Sequence, residues 1–152
     1  MDKAPRPDYP GPLEIADALT ALSLVTLDDT PFTRDDPSAD AESRDLGLAK
    51  ATGGRIGIRH VRAVAPFPGE TGWHWHDMTG HVVYVLRGWI CFRYAGIAGD
   101  VTVRVGSCLS QPAGVAHNVV GRSDDLELLE INLPARFGTF ALPGEPGPAS
   151  TR

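Results

Sequence analysis

The chain has 152 residues, the length of one domain with a core of its own, and its 17 glycines and 13 prolines predict many turns. A net charge of −5 without a basic cluster argues against a nucleic-acid partner, because phosphate binding needs concentrated Lys and Arg. The sequence shows neither a membrane-spanning apolar run nor the layout of a signal peptide, so we expect a soluble, cytoplasmic protein without a membrane partner.

Residues 1–44 are predicted to form an irregular N-terminal extension. Within them, residues 13–22 (LEIADALTAL) have the pattern of a short helix, and residues 24–27 (LVTL) that of an edge strand. Residues 33–45 (TRDDPSADAESRD) are predicted to be a charged surface loop, and residues 141–152 a flexible C-terminal tail. The two cysteines, Cys91 and Cys108, belong to no disulfide framework and are expected to be reduced and buried.

Between residues 45 and 140 the pattern changes to short β-like runs separated by turn residues. Residues 45–52 and 55–67 flank Gly53 and Gly54, which suit a two-residue hairpin turn. Further runs follow at residues 81–88, 89–96, 101–106, 107–112, 117–121 and 126–133. Because no amphipathic helical stretch interrupts them, the sequence predicts a single all-β domain, either a sandwich or a barrel.

Three of the five histidines lie within eight residues of one another. His74 and His76 are two apart, so on a strand both rings point to the same face. His81 follows the turn-like residues 77–80 and opens the next strand, so a hairpin would place it across from that pair. His117 begins a later strand after a turn. This convergence indicates a metal site, although single histidines are more often hydrogen-bonded core or surface residues.

The wider spacing of these residues resembles that of the cupin superfamily. The first cupin motif has HxH, then a glutamate, then a glycine, and here His81 stands where the glutamate is typical. The second motif matches at fixed spacing except at its last position, where Gly121 replaces asparagine and Asn118 lies close by. The matching residues are His74, His76 and Gly88 in the first motif and Gly106, Pro112, Gly114 and His117 in the second.

The resemblance implies that residues 45–140 form a cupin jelly roll, a fold that is commonly dimeric and holds a divalent metal inside the barrel. It places His74, His76, His81 and His117 at the four ligand positions. Imidazole suits zinc and iron better than manganese or magnesium, so zinc is favoured and Fe(II) is the alternative. Four histidines on an octahedral ion would leave two positions, enough for a 1,3-dicarbonyl but not for dioxygen as well, which favours redox-neutral Lewis-acid chemistry.

Other residues are candidates for the surroundings of the metal. Glu130 and Asn132 share a strand face with Leu128, and His60 shares one with Ile56 and Ile58. Glu130 and His60 are candidate proton-transfer residues, although an exposed or capped glutamate and a hydrogen-bonded core or surface histidine are the commoner cases. Asp77 can hold the second ring nitrogen of a ligand or cap a turn. The apolar residues expected to alternate with polar ones, about half of them facing inward, are Val83, Val85, Ile90, Phe92, Tyr94, Val119 and Leu128.

In chain length and ligand type the sequence is similar to the cupin-type aromatic polyketide cyclases of resistomycin-type pathways, which hold zinc through four histidines. That likeness implies aldol ring closure and dehydration of an apolar, enolisable small-molecule substrate, by a homodimer. A non-haem Fe(II) dioxygenase of the three-histidine type, which oxidises diketones or thiols, is the alternative and requires His81 to be a non-ligand. A non-catalytic, ligand-binding cupin is the third possibility.

Overall fold

The computed structural model of the chain describes residues 20–34 and 40–147. Strands dominate this part of the chain, and its one helix is a single turn. In chain order the elements are β1 (Ala41–Asp45), α1 (Leu48–Ala51), β2 (Gly57–Ala63), β3 (His74–His76), β4 (Gly80–Arg87), β5 (Trp89–Tyr94), β6 (Val101–Arg104), β7 (Cys108–Gln111), β8 (His117–Arg122), β9 (Glu127–Leu133) and β10 (Thr139–Ala141). Among the described residues, no helix has the length and apolar character needed to cross a membrane.

The strands form two five-stranded antiparallel sheets that pack into a jelly roll. Sheet 1 has the order β1-β2-β9-β4-β7, and sheet 2 has the order β10-β3-β8-β5-β6. Consecutive strands repeatedly change sheets, so that side chains from both sheets meet in one core. The prediction of an all-β sandwich or barrel is therefore confirmed.

Side-chain alternation explains which residues form this core. On β4, Val83 and Val85 are 3% and 0% exposed, whereas Tyr84 and Leu86 on the opposite face are 38% and 41% exposed. All seven apolar residues predicted to alternate belong to the core or pack against it, more than the expected half. They do so because every one occupies the inward position of its strand.

The edge of sheet 1 differs from the sequence prediction. Residues 24–27, predicted as an edge strand, form no strand, and that position is taken by β1, which lies in the predicted charged loop. Charged residues tolerate this position because Glu42 on the outer side of β1 accepts a 2.5 Å hydrogen bond from Arg62 on β2. Charges on an edge strand also discourage pairing with other chains.

Residues 48–51 form helix α1 instead of a strand. Leu, Ala and Lys are strong helix formers, and the glycines that follow, with φ of 59° at Gly53 and 84° at Gly54, end the turn in left-handed backbone. The predicted helix at 13–22 lies outside the described residues except for residues 20–22, which are not helical.

The prediction that both cysteines are buried is wrong for Cys108, which is exposed, while Cys91 is half-buried.

Arg122 ties β8 to the start of β1 through a buried ion pair with Asp40. Its side chain is 5% exposed, and its Nη2 donates to Asp40 Oδ2 over 2.6 Å and to the carbonyl of Ala65 over 2.9 Å. Replacing Arg122 by leucine leaves the Asp40 carboxylate buried without its partner, so we expect the free energy of unfolding to fall by about 3 kcal/mol in urea denaturation. The matched change Arg87→Leu removes an ion pair to Asp125 that is more than half exposed, and should cost under about 1 kcal/mol. If both variants lost the same free energy of unfolding, the buried ion pair would stabilise the fold no more than the exposed one.

Candidate metal centre

Three histidines from two neighbouring strands of sheet 2 form a compact cluster. His74 and His76 lie on β3, and His117 begins β8 in register with His74. The ring centroid of His117 lies 4.5 Å from that of His74 and 5.1 Å from that of His76. One nitrogen of each ring lies within 4.8 Å of the others, which is a spacing that a single metal ion can bridge.

The second nitrogen of each ring is held by an oxygen. His74 Nδ1 lies 2.9 Å from the carbonyl of Gly72, and His117 Nδ1 lies 3.0 Å from the carbonyl of Val115. His76 Nδ1 lies 2.9 Å from the hydroxyl of Thr139 on β10. Because a carbonyl can only accept, Nδ1 carries the hydrogen in His74 and His117, and Nε2 keeps its lone pair for a metal.

The surroundings keep His76 and His117 neutral. Burial, together with the neighbouring imidazoles of His117 and His74, lowers the pKa of His76 to about 4. Burial likewise lowers the pKa of His117 to about 4, against an opposing hydrogen bond to Val115. Neutral imidazole is the form that coordinates a metal, and imidazole donors fit Zn²⁺ or Fe(II).

His81 approaches the cluster from the other sheet. The predicted hairpin between β3 and β4 is wrong, because His81 is in register with Gln111 and Asn132 of sheet 1, while β3 pairs with β8 and β10 of sheet 2. The turn at residues 77–80 therefore carries the chain between sheets. The His81 ring faces that of His76 across the interior, with centroids 5.4 Å apart.

The ring of His81 is engaged with a carboxylate. Its Nε2 lies 3.1 Å from Oε1 of Glu130 and 3.4 Å from the amide nitrogen of Gln111, and Arg59 donates to the other oxygen of Glu130 over 2.7 Å. Burial alone would raise the pKa of Glu130, but His81 and Arg59 outweigh it and hold that pKa at about 2. Glu130 is thus an anion that orients His81, and the three-histidine cluster does not include His81 in this arrangement.

The other predicted site residues make contacts of their own outside the three-histidine cluster. His60 lies on the outer face of β2, where its Nε2 is 3.1 Å from Glu127 and its ring contacts Phe32 with centroids 4.9 Å apart. Asp77 accepts a hydrogen bond from the backbone N–H of Gly138, so it caps the loop before β10. Asn132 is 2% exposed and in register with His81, and its Oδ1 has no hydrogen-bond partner among the residues that the structure describes.

Sequence reasoning missed three polar residues of the site, Arg59, Gln111 and Thr139. Arg59 occupies an inward position of β2, whereas His60, the candidate named from the sequence, lies on the outer face. Gln111 could have been found, because it is the polar residue at an inward position of β7, immediately before Pro112 of the second motif. Nothing local marks Thr139, since only the pairing of β10 with β3 brings it to His76.

The four clustered and facing histidines, His74, His76, His81 and His117, line a cavity of about 670 Å³ between the sheets. Small-molecule sites typically have volumes of about 300–1,000 Å³ with largely apolar walls. The apolar and aromatic walls here include Phe67, Trp73, Val83, Phe92, Leu128 and Phe137. The Phe137 ring packs edge-on against His76, with centroids 5.4 Å apart, so aromatic surface lies directly beside the histidine cluster.

This arrangement of sheets and histidines agrees with the comparisons to known proteins. Residues 62–132, which contain both histidine motifs, match the family model described as a cupin domain. This part of the chain belongs to the cupin superfamily. No curated protein matches this cupin in sequence.

Solved cupin structures share its fold. The polyketide cyclase RemF from Streptomyces resistomycificus superposes with a TM-score of 0.62 at 21% identity, over 80% of this chain and 85% of that one. KdgF from a Halomonas species gives a TM-score of 0.59 at 16% identity, over 75% and 96% of the two chains. Oxalate decarboxylase OxdC from Bacillus subtilis gives 0.59 at 18% identity, over 84% of this chain but only 34% of its own. At these identities the likeness establishes the fold, and the chemistry must be argued from the site.

Proposed function

We propose that this cupin is a metal-dependent enzyme that binds an enolisable, largely apolar ketone and promotes a redox-neutral ring closure, as aromatic polyketide cyclases do. One observation carries the proposal: three imidazoles on one wall of a largely apolar cavity face an imidazole–carboxylate pair on the other wall. A polyketide cyclase shares the fold of this chain, so the fold is compatible with that activity.

Each part of the site has a separate task in this proposal. His74, His76 and His117 would hold a divalent ion, zinc or alternatively Fe(II), which would polarise a ketone oxygen and make the neighbouring C–H more acidic. His81 moves the proton, with Glu130 holding its ring in place. Imidazole suits this task because its ordinary pKa lies near neutrality. The apolar walls exclude water and fold the substrate chain, which brings its reacting carbons together.

The test combines metal analysis with two assays on a 1,3-diketone and a linear poly-β-ketone mimic. The proposal predicts stoichiometric zinc in protein purified without added metal, cyclised product from the mimic, and no oxygen uptake. Bound iron together with diketone-dependent oxygen uptake would rule out the cyclase activity. Ligand binding without any turnover would point to the non-catalytic alternative.

A three-histidine Fe(II) dioxygenase is the second candidate, and the position of His81 favours it. With its Nε2 engaged by Glu130, the three clustered histidines are the candidate ligands. An octahedral ion with three protein ligands would have three open positions, enough for both oxygens of a diketone and for dioxygen. Reconstitution with Fe(II) under argon and then air, with oxygen consumption as the readout, separates this candidate from the cyclase.

A further inference from the structure

Asn118 is a buried polar residue that the proposed chemistry does not use. It directly follows His117 on β8 and is 1% exposed. Because neighbouring side chains on a strand point to opposite faces, His117 points into the cavity and Asn118 points to the other side of the sheet. A buried amide there must find partners to offset the loss of water, so its contacts indicate what it holds in place.

The partners of Asn118 lie in the segment just before β3, at residues 70–72. Asn118 Oδ1 accepts hydrogen bonds from the N–H of Gly72 over 3.0 Å and from the hydroxyl of Thr71 over 3.3 Å. Asn118 Nδ2 donates to Oε2 of Glu70 over 2.8 Å. Thr71 also exchanges hydrogen bonds of 3.0 and 3.1 Å with the backbone of Val119. This segment is therefore attached to β8 mainly through the side chain of Asn118 and through Thr71.

Gly72 connects this attachment to the three-histidine cluster. Its φ is 84°, a left-handed conformation that glycine adopts without strain, and its carbonyl accepts from Nδ1 of His74 over 2.9 Å. That hydrogen bond fixes the hydrogen on Nδ1 and leaves the Nε2 of His74 as the ligand atom. If Gly72 turned away, the ring would lose both its preferred tautomer and its orientation.

We propose that Asn118 is a positioning residue for His74: it holds Gly72 so that the Gly72 carbonyl selects the Nδ1–H tautomer and aims Nε2 at the cluster. Strand β8 then serves two ligands, one directly through His117 and one through Asn118. The inference rests on the proposed metal site, but the tautomer of His74 belongs to the metal-free protein and can be measured whether or not a metal binds.

The first test replaces Asn118 by leucine and follows two readouts. NMR of the histidine ring nitrogens in metal-free protein should show His74 changing from one Nδ1–H tautomer to a mixture. The affinity for Co(II), followed by its visible spectrum, should fall by about 10- to 100-fold, the usual effect of losing an outer hydrogen bond to a ligand. Val120→Ala, two residues further along β8 and outside these side-chain hydrogen bonds, is the control and should change neither readout.

The second test swaps the hydrogen-bond donor and acceptor between Asn118 and Glu70. Asn118→Asp keeps the acceptor for Gly72 but sets a carboxylate against Glu70, so it should shift the His74 tautomer and weaken Co(II) binding. Glu70→Gln alone retains an amide–amide hydrogen bond and should be neutral. Combining the two restores a donor–acceptor pair and should recover Co(II) affinity to within about threefold of the wild type. This pair of variants decides the matter if the leucine variant does not fold.

Two results separate this inference from the proposed function. A folded Asn118→Leu protein, or Asn118→Asp protein, with unchanged His74 tautomer and unchanged Co(II) affinity would overturn the positioning role. Wild-type protein that binds no Co(II), but whose His74 tautomer responds to Asn118→Leu as expected, would contradict the metal-dependent function and leave the positioning role intact.

Discussion

The His117→Ala variant should lose nearly all bound divalent metal and with it at least about 100-fold in catalysis. His117 is the most buried ligand of the cluster, at 4% exposed, and its ring lies close to both of its partners. Two remaining imidazoles cannot close a tetrahedral or octahedral site, and water would have to fill the gap. Elemental analysis after dialysis against a chelator measures the loss directly.

His60→Ala is the matched control, because it removes a histidine that lies on the outer face of sheet 1. It should retain about one metal ion per chain, with only a modest loss of stability from the broken contacts to Glu127 and Phe32. Metal loss of equal size in both variants would mean that the cluster is not the binding site. Retention of metal in His117→Ala would have the same meaning.

His81→Ala should keep its metal but lose about 10²- to 10⁴-fold in turnover, the usual contribution of a positioned acid–base group. Its Nε2 is engaged with Glu130, and it stands apart from the three clustered ligands. Glu130→Gln retains a similar shape but cannot hold His81 as a carboxylate does, so we expect a smaller loss in turnover with metal content unchanged. Metal stoichiometry and steady-state rates on the same preparations measure the two effects separately.

The opposite outcome would also be informative for this pair of variants. If His81→Ala loses its metal, His81 is the fourth ligand that the cupin motif places there, and the proton-transfer role falls. His81→Glu refines the result, because a carboxylate at that position should raise the affinity for Mn²⁺ relative to Zn²⁺ only if the side chain reaches the metal.

The fold and the histidine cluster were predictable because their signals are local or have fixed spacing. Alternating apolar residues, as in the stretch that became β4, define strands and their inward faces. The HxH pair and the second motif at His117 place three ligands without any knowledge of the strand order. The pairing of His74 with His117 in sheet 2 then follows from the jelly roll itself.

The remaining features depend on contacts between distant segments. Each face of β2 carries both apolar and basic residues, so the sequence alone does not show that Arg59 and not His60 faces the cavity. The partner of His81 comes from β9, and its identity depends on the register between β4 and β9. Likewise, β1 becomes a strand only because β2 offers it an edge, since its own residues are mostly polar.

X-ray absorption spectroscopy of the wild-type protein at the edge of the metal that it carries tests the central claim most directly. The site described above predicts about one divalent ion per chain, with a first shell that includes at least three imidazole nitrogens. A protein that binds no ion after growth in zinc- or iron-supplemented medium, or one whose ion has an oxygen-only shell, would contradict it.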